Sequence, residues 1–68
     1  MNVTDRAGII VTIVTAYPQL VTPTMHAGID LARALDSGDV AITEDAVLVG
    51  TIIDTYDQLE AAAGKHFT

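Results

Sequence analysis

Polar and small residues form one narrow stripe through the otherwise apolar first segment of the chain. The stripe consists of Asp5, Gly8, Thr12, Thr15 and Gln19. Its spacings of three and four residues are typical of one side of an α-helix. The apolar residues 9–11 have high β propensity, but they follow one another without the alternation of a strand. The pattern predicts a helix over residues 5–17, and pairing of residues 9–16 as a strand between copies is the alternative.

Capping residues indicate where this first helix begins and ends. Thr4 is a residue type that accepts hydrogen bonds at a helix N-cap, and Asp5 is favourably placed against the helix dipole. Pro18 ends the helix, because a proline disfavours the helical conformation of the residue before it, here Tyr17.

The second predicted helix covers residues 23–36. Thr22 and Pro23 are a capping residue followed by proline at the first helical position, and Gly38 suits the left-handed conformation that follows a helix C-terminus. Its polar stripe contains His26, Asp30, Arg33 and Ser37, and its apolar side contains Met25, Ile29, Ala32 and Leu35. Gly28 and Ala32, four residues apart, predict a patch where another helix approaches closely.

The third predicted helix is the longest and covers residues 44–63. Thr43 is its predicted N-cap, with Glu44 and Asp45 in the first turn, where negative charge is favourable. Gly64 is its predicted C-terminal stop. The predicted buried side contains Val49, Ile52, Ile53, Tyr56, Leu59 and Ala63. The predicted polar side contains Thr51, Asp54, Thr55, Asp57 and Gln58.

Together the segments predict an all-α fold, a small three-helix bundle-like unit in a single domain over residues 1–68. Half of the 68 residues are hydrophobic, which is more than so small an interior hides. The chain has no cysteine, so disulfides do not stabilise it. We therefore expect a homo-oligomer that completes the bundle. The predicted self-association residues are Ile9, Ile10, Ile13, Val14 and Tyr17.

Acidic residues are concentrated in the second half of the chain. Residues 36–60 contain seven carboxylates and no lysine or arginine, and the other residues together carry about +1, so the net charge of −6 comes from this stretch. The chain has only three basic residues, so we expect no direct nucleic-acid binding, whose affinity comes largely from phosphate neutralisation. A protein with a basic surface is the favoured partner. The predicted partner-binding residues are Asp36, Asp39, Asp54, Asp57 and Glu60.

The candidate chemistry is sparse. His26 and Asp30 lie one helical turn apart, with Arg33 beyond them. Such a pair occurs at metal sites and beside general bases, but it is far more often an exposed stripe with contacts worth a few tenths of a kcal/mol. Asp54, Asp57 and Glu60 drift by about 60° per step around a helix, so they do not converge on a metal. We expect no enzymatic activity, metal or cofactor.

These observations favour a small, acidic, non-enzymatic protein–protein interaction module that self-associates and docks on a basic partner surface as an inhibitor or adaptor. In the inhibitor version, the carboxylates of residues 36–60 take the place of phosphates on a nucleic-acid-binding protein. The alternative is a structural assembly subunit of a virion, shell or other complex, built through the apolar first helix. No apolar run approaches the roughly 18 residues of a membrane span, and no signal-peptide pattern is evident. We therefore expect a cytoplasmic protein with no membrane partner.

Overall fold

The computed structural model of the chain describes residues 2–41 and 45–67. Its α-helices are α1 (Val3–Ala16), α2 (His26–Asp36) and α3 (Ala46–Ala63). Two single turns of 3₁₀ helix, Pro18–Leu20 and Pro23–Met25, lie between α1 and α2. The described residues contain no β-strand, so the all-α prediction is confirmed and residues 9–16 are helical.

Helix α1 begins earlier than predicted, because Asn2 rather than Thr4 is its N-cap. The Asn2 Oδ1 atom accepts a hydrogen bond of 2.8 Å from the backbone N–H of Asp5, which satisfies one of the free donors of the first turn. Thr4 lies inside that turn. At the other end Tyr17 leaves the helical conformation before Pro18, with φ −132° and ψ 66°, so the helix stops at Ala16.

The start of α2 differs from the prediction in its geometry. Residues Pro23–Met25 form a turn of 3₁₀ helix, and α-helical geometry begins at His26. Thr22 is extended, as a capping residue is, but its side chain makes no cap hydrogen bond. Its hydroxyl lies 3.0 Å from that of Thr24 instead, because the tighter turn brings these two side chains together.

Helix α2 ends as predicted at a glycine turn. Gly38 has φ +83°, a conformation that L side chains rarely adopt. The N–H of Asp39 then reaches the carbonyl of Ala34 at 2.9 Å, which satisfies one of the last carbonyls of the helix.

Helix α3 is capped by Asp45. One carboxylate oxygen accepts hydrogen bonds from the N–H groups of Val47 at 3.0 Å and Leu48 at 3.2 Å. Asp45 is therefore the cap itself and not a first-turn residue, and the predicted cap, Thr43, lies with Glu44 outside the described residues. The predicted stop is confirmed, because Gly64 takes φ +72° directly after the helix.

The core lies where the three helices meet. Its buried apolar residues are Ala7, Ile10 and Val14 from α1, Met25, Ile29, Ala32 and Leu35 from α2 and the turn before it, and Ile52, Tyr56 and Leu59 from α3. Ile10, Ile52 and Leu59 are its largest fully buried side chains, each contributing about 1.5–3 kcal/mol. On α1, Ile9 and Val11 are only half-buried against this core.

Helices α2 and α3 cross closely at Gly28. A Cβ atom on Gly28 would lie 2.8 Å from the Cβ of Thr55, so the predicted close approach at this glycine is confirmed. Thr55 itself was expected on the polar side of α3, yet it is 2% exposed. Its hydroxyl donates a 2.8 Å hydrogen bond to the carbonyl of Thr51, which lets a polar residue be buried.

Candidate functional site

The side of α3 that points away from the core is the strongest candidate for an interaction surface. Ile52, Thr55, Tyr56 and Leu59 are buried, and their spacing of three and four residues places them on one side of the helix. The opposite side is exposed along its whole length. We call this surface the outer face of α3, and it consists of Val47, Gly50, Ile53, Asp54, Asp57 and Ala61.

Two large apolar side chains lie on this outer face. Val47 is 77% exposed, the most exposed large hydrophobic residue in the described chain, and Ile53 is 36% exposed. Ile53 was predicted to be buried with Ile52. Consecutive helical residues are separated by about 100° around the axis, so they do not both face the core. Ile52 is the buried one, at 0% exposed.

Gly50 lies between these two residues in the interior of α3. Glycine in a helix interior is less favourable than alanine by about 0.8–1 kcal/mol. A Cβ atom added at Gly50 would meet nothing within 4 Å, and its φ is not positive, unlike those of Gly38 and Gly64. Neither packing among the described residues nor backbone conformation therefore requires glycine here.

The charged members of the outer face are Asp54 and Asp57. Both are exposed, and Asp54 accepts a hydrogen bond of 2.7 Å from the Gln58 side chain. Gln58 in turn accepts one of 2.9 Å from the Thr24 hydroxyl, so this residue bridges to the turn before α2. No lysine or arginine occurs within α3, and no described basic group forms a salt bridge with Asp54 or Asp57. Their negative charge is left to solvent.

Glu60 is different from these two aspartates, because the end of the chain folds back over it. Its side chain is 14% exposed and its Oε2 atom lies 3.3 Å from Nδ1 of His66. The same oxygen accepts a 2.9 Å hydrogen bond from the backbone N–H of Phe67. Glu60 was expected on the exposed acidic side without a local role; it holds the last described residues against α3.

The folded-back end completes an aromatic cluster around Tyr56. The Phe67 ring meets the Tyr56 ring edge to face, with centroids 5.7 Å apart and planes at 88°. The guanidinium carbon of Arg6 lies 5.5 Å from the Tyr56 centroid, within the range of a cation–π contact. Tyr56 is 3% exposed, so its assignment to the core is confirmed.

Asp36 and Asp39 lie at the end of α2. Both are exposed, and Asp39 accepts a 3.0 Å hydrogen bond from the Ser37 hydroxyl. Asp36 faces α1, with Oδ1 3.4 Å from the position of a Cβ on Gly8. It lines a groove together with residues of α1, and no residue of the outer face of α3 lines that groove.

The predicted self-association residues fall into two groups. Ile10 and Val14 are 0% and 5% exposed, so they pack in the core of the chain itself and have almost no surface to offer another copy. Ile9 and Ile13 are half-buried, and Tyr17 is 49% exposed. The two groups differ because α1 buries only one side in the core, and the residues on that side are three or four positions apart.

Ile13 and Tyr17 border an open groove of about 270 Å³. The other residues that line it are Leu20, Ala63, Lys65 and Phe67. This groove is not predictable from helical periodicity, because Phe67 reaches it only through the reversal of the chain at Gly64. The one signal in the sequence is an aromatic residue three positions after the glycine that ends α3.

The His26, Asp30 and Arg33 stripe is a surface feature. The carboxylate of Asp30 lies 3.9 Å from the guanidinium of Arg33, and these side chains are 80% and 58% exposed. Exposed pairs of this kind contribute little to stability. In the part of the chain that the structure describes, no group of three or more His, Cys, Asp or Glu side chains is arranged to hold a metal ion.

Comparison of the chain with protein-family models, with curated proteins and with solved structures finds no match. Among residues 2–41 and 45–67, no helix has the length and apolar character needed to cross a lipid bilayer.

Proposed function

We propose that this chain is a non-enzymatic, acidic protein–protein interaction module that docks on a basic surface of a partner protein. The observation that supports this function is the outer face of α3. There, an exposed valine and isoleucine lie beside two aspartates that have no basic partner among the described residues. An apolar surface favours burial, and the charge beside it selects a partner of opposite sign.

The carboxylates contribute mainly to the rate and specificity of docking. Complementary charge steers encounter and rejects like-charged surfaces more than it adds affinity. Burial of the apolar residues then supplies much of the attraction that holds the complex together. This division of roles suits an inhibitor or adaptor, which occupies or bridges a surface without chemistry of its own. A partner that normally binds phosphates is one protein that such a module would block.

The test is affinity capture with the immobilised chain from the host in which it is expressed. We expect one or a few basic proteins to be retained and to elute as ionic strength rises, because the screening length falls from about 10 Å at 0.1 M to about 3 Å at 1 M salt. The double variant Asp54→Asn/Asp57→Asn should lose them. Asp30→Asn is the matched control, since Asp30 is exposed but lies on α2 beside Arg33. Equal capture by the double variant and the wild type would contradict the proposal.

The second candidate function is a self-associating subunit of a larger assembly. It is favoured by Tyr17, which is 49% exposed beside the apolar groove formed with Ile13 and Leu20. In this function the homo-oligomer buries Ile9, Ile13 and Tyr17. Light scattering over a concentration series tests it, with Tyr17→Ser expected to lower the average mass. A wild-type monomer throughout the micromolar range would exclude this function and leave the docking proposal intact.

A further inference from the structure

We infer that the outer face of α3 receives an amphipathic helix of the partner, packed along α3 and carrying lysine or arginine at its margins. This inference rests on the proposed function, because it takes the partner to be basic. The docking element is a helix, it lies on the outer face of α3, and Gly50 permits its closest approach.

The spacing of the outer face is the first reason to expect a helix. Five of its residues recur at alternating intervals of three and four, and these are Val47, Gly50, Asp54, Asp57 and Ala61. Residues at this spacing form a line along one side of α3, and we call it the seam. In packed helix pairs such a line is mainly apolar; here Val47, Gly50 and Ala61 are apolar or small, and Asp54 and Asp57 are charged. Every one of these residues is exposed, so within the described chain no helix occupies the seam. With 18 residues, α3 is about 27 Å long, enough for several turns of a second helix.

Gly50 is the second reason. It is less favourable than alanine in a helix, and nothing in the described chain lies where its Cβ would be. Small residues let two helix backbones come close, as Gly28 does at the crossing of α2 and α3. Gly50 therefore fits a close approach from outside, with Val47 and Ile53 one turn away on either side as apolar contacts.

Charge decides between a basic helix and a second copy of this chain. Pairing α3 with α3 of another copy would bring Asp54 and Asp57 of both copies into the same seam, and like charges in such a position are unfavourable. Helix α1 of another copy would offer only one basic residue, Arg6, whose guanidinium already lies over Tyr56. A partner helix with lysine or arginine beside its apolar stripe neutralises both aspartates, so it is the occupant with the best charge match.

The experiment uses a designed peptide of about 18 residues as a probe, with leucine and alanine along one side and lysine along its margins. A second peptide of the same charge has a central proline, which breaks its helix. Fluorescence anisotropy measures the affinity of the full chain for each, and amide NMR shifts locate the contact. We expect the helical peptide to bind about tenfold or more tightly than the broken one, with shifts along Val47, Gly50, Asp54, Asp57 and Ala61.

Gly50→Leu tests the close approach, and Ala27→Leu on the exposed surface of α2 is its matched control. Gly50→Leu should weaken binding of the helical peptide by about tenfold, while Ala27→Leu leaves it unchanged; far-ultraviolet circular dichroism checks that both variants fold. Equal binding of both peptides, shifts elsewhere, or no effect of Gly50→Leu would overturn the helix inference. If one of these outcomes occurs but Asp54→Asn/Asp57→Asn abolishes peptide binding, the proposed function is still supported, because the basic peptide then binds through the two aspartates. Absence of binding by either peptide counts against the helix inference alone, since capture from the host tests the function independently.

Discussion

A glycine lies on each side of α3: Gly28 of α2 packs against its inner side, and Gly50 of α3 itself lies on its outer side. The surroundings of these two glycines are opposite. On the inner side, Gly28 of α2 lies so close to Thr55 that a Cβ atom would be 2.8 Å from the threonine Cβ. On the outer side, Gly50 belongs to α3 itself, and a Cβ there would meet nothing within 4 Å. The first glycine is explained by the packing of this chain. The second is unfavourable for the helix and has no such explanation among the described residues; the partner helix proposed above would supply one.

The largest difference between the two sides should appear on truncation of an apolar side chain. Leu59→Ala removes a side chain that is 0% exposed, and the lost contacts and cavity should lower the free energy of unfolding by about 2–5 kcal/mol. Val47→Ala, on the outer face, should change it by less than about 0.5 kcal/mol. Urea denaturation measures both, and similar losses would show that the outer face is packed.

Gly28→Ala should be the next largest effect. The new methyl group must displace Thr55 or separate α2 from α3, which we expect to cost about 1–3 kcal/mol of unfolding free energy. Combining it with Thr55→Ala removes the Oγ1 and Cγ2 atoms of Thr55 from the contact and leaves only its Cβ, so the two changes together should cost less than the sum of the single changes. A fully additive double-mutant cycle would mean that this crossing is looser than the structure indicates.

Gly50→Ala should stabilise the chain, whereas Gly28→Ala destabilises it. Alanine has the higher helix propensity and enough space, so the free energy of unfolding should rise by about 0.8–1 kcal/mol. Thermal unfolding beside Gly28→Ala makes the comparison direct. Destabilisation by Gly50→Ala would remove the argument that this glycine serves a contact outside the chain.

The smallest effect on stability should come from the outer aspartates. Asp57→Asn changes an exposed carboxylate that has no basic partner among the described residues, and we expect a change below about 0.5 kcal/mol. Partner binding, by contrast, should weaken. A substitution that lowers stability and binding together would indicate that Asp57 belongs to the fold and not to the interface.

Helix positions were largely predictable from the sequence, because their signals are local. Gly38 and Gly64 end helices through their own backbone preferences and Pro18 through its effect on Tyr17, and the periodicity of apolar residues identified α1, α2 and α3. The N-termini were less predictable. Asn2 and Asp45 cap α1 and α3, whereas Thr4 had been expected for α1, since several neighbouring residues of a suitable type compete for one position.

The candidate site was predictable only in part. Asp54 and Asp57 were expected on an exposed side of α3 and lie there. Glu60, with the same spacing, does not share their environment, because the Gly64 reversal brings Phe67 and His66 onto its carboxylate. Ile53 and Thr55 exchanged their expected places, since hydrophobicity alone does not show which neighbouring residue lies over the small surface of Gly28.

By itself the sequence determined that this chain is helical, where its helices stop and that its carboxylates far outnumber its basic groups. These properties depend on backbone preference, short-range periodicity and composition. Only the tertiary structure decided that Thr55 is buried while Ile53 is exposed, because Thr55 packs against Gly28 where α2 and α3 approach closely. It also distinguished two glycines and three carboxylates that look alike in sequence, because burial and hydrogen bonding come from residues distant along the chain. The exposed Gly50, Asp54 and Asp57 define the outer face of α3, whereas Gly28 and Glu60 serve the fold of the chain itself.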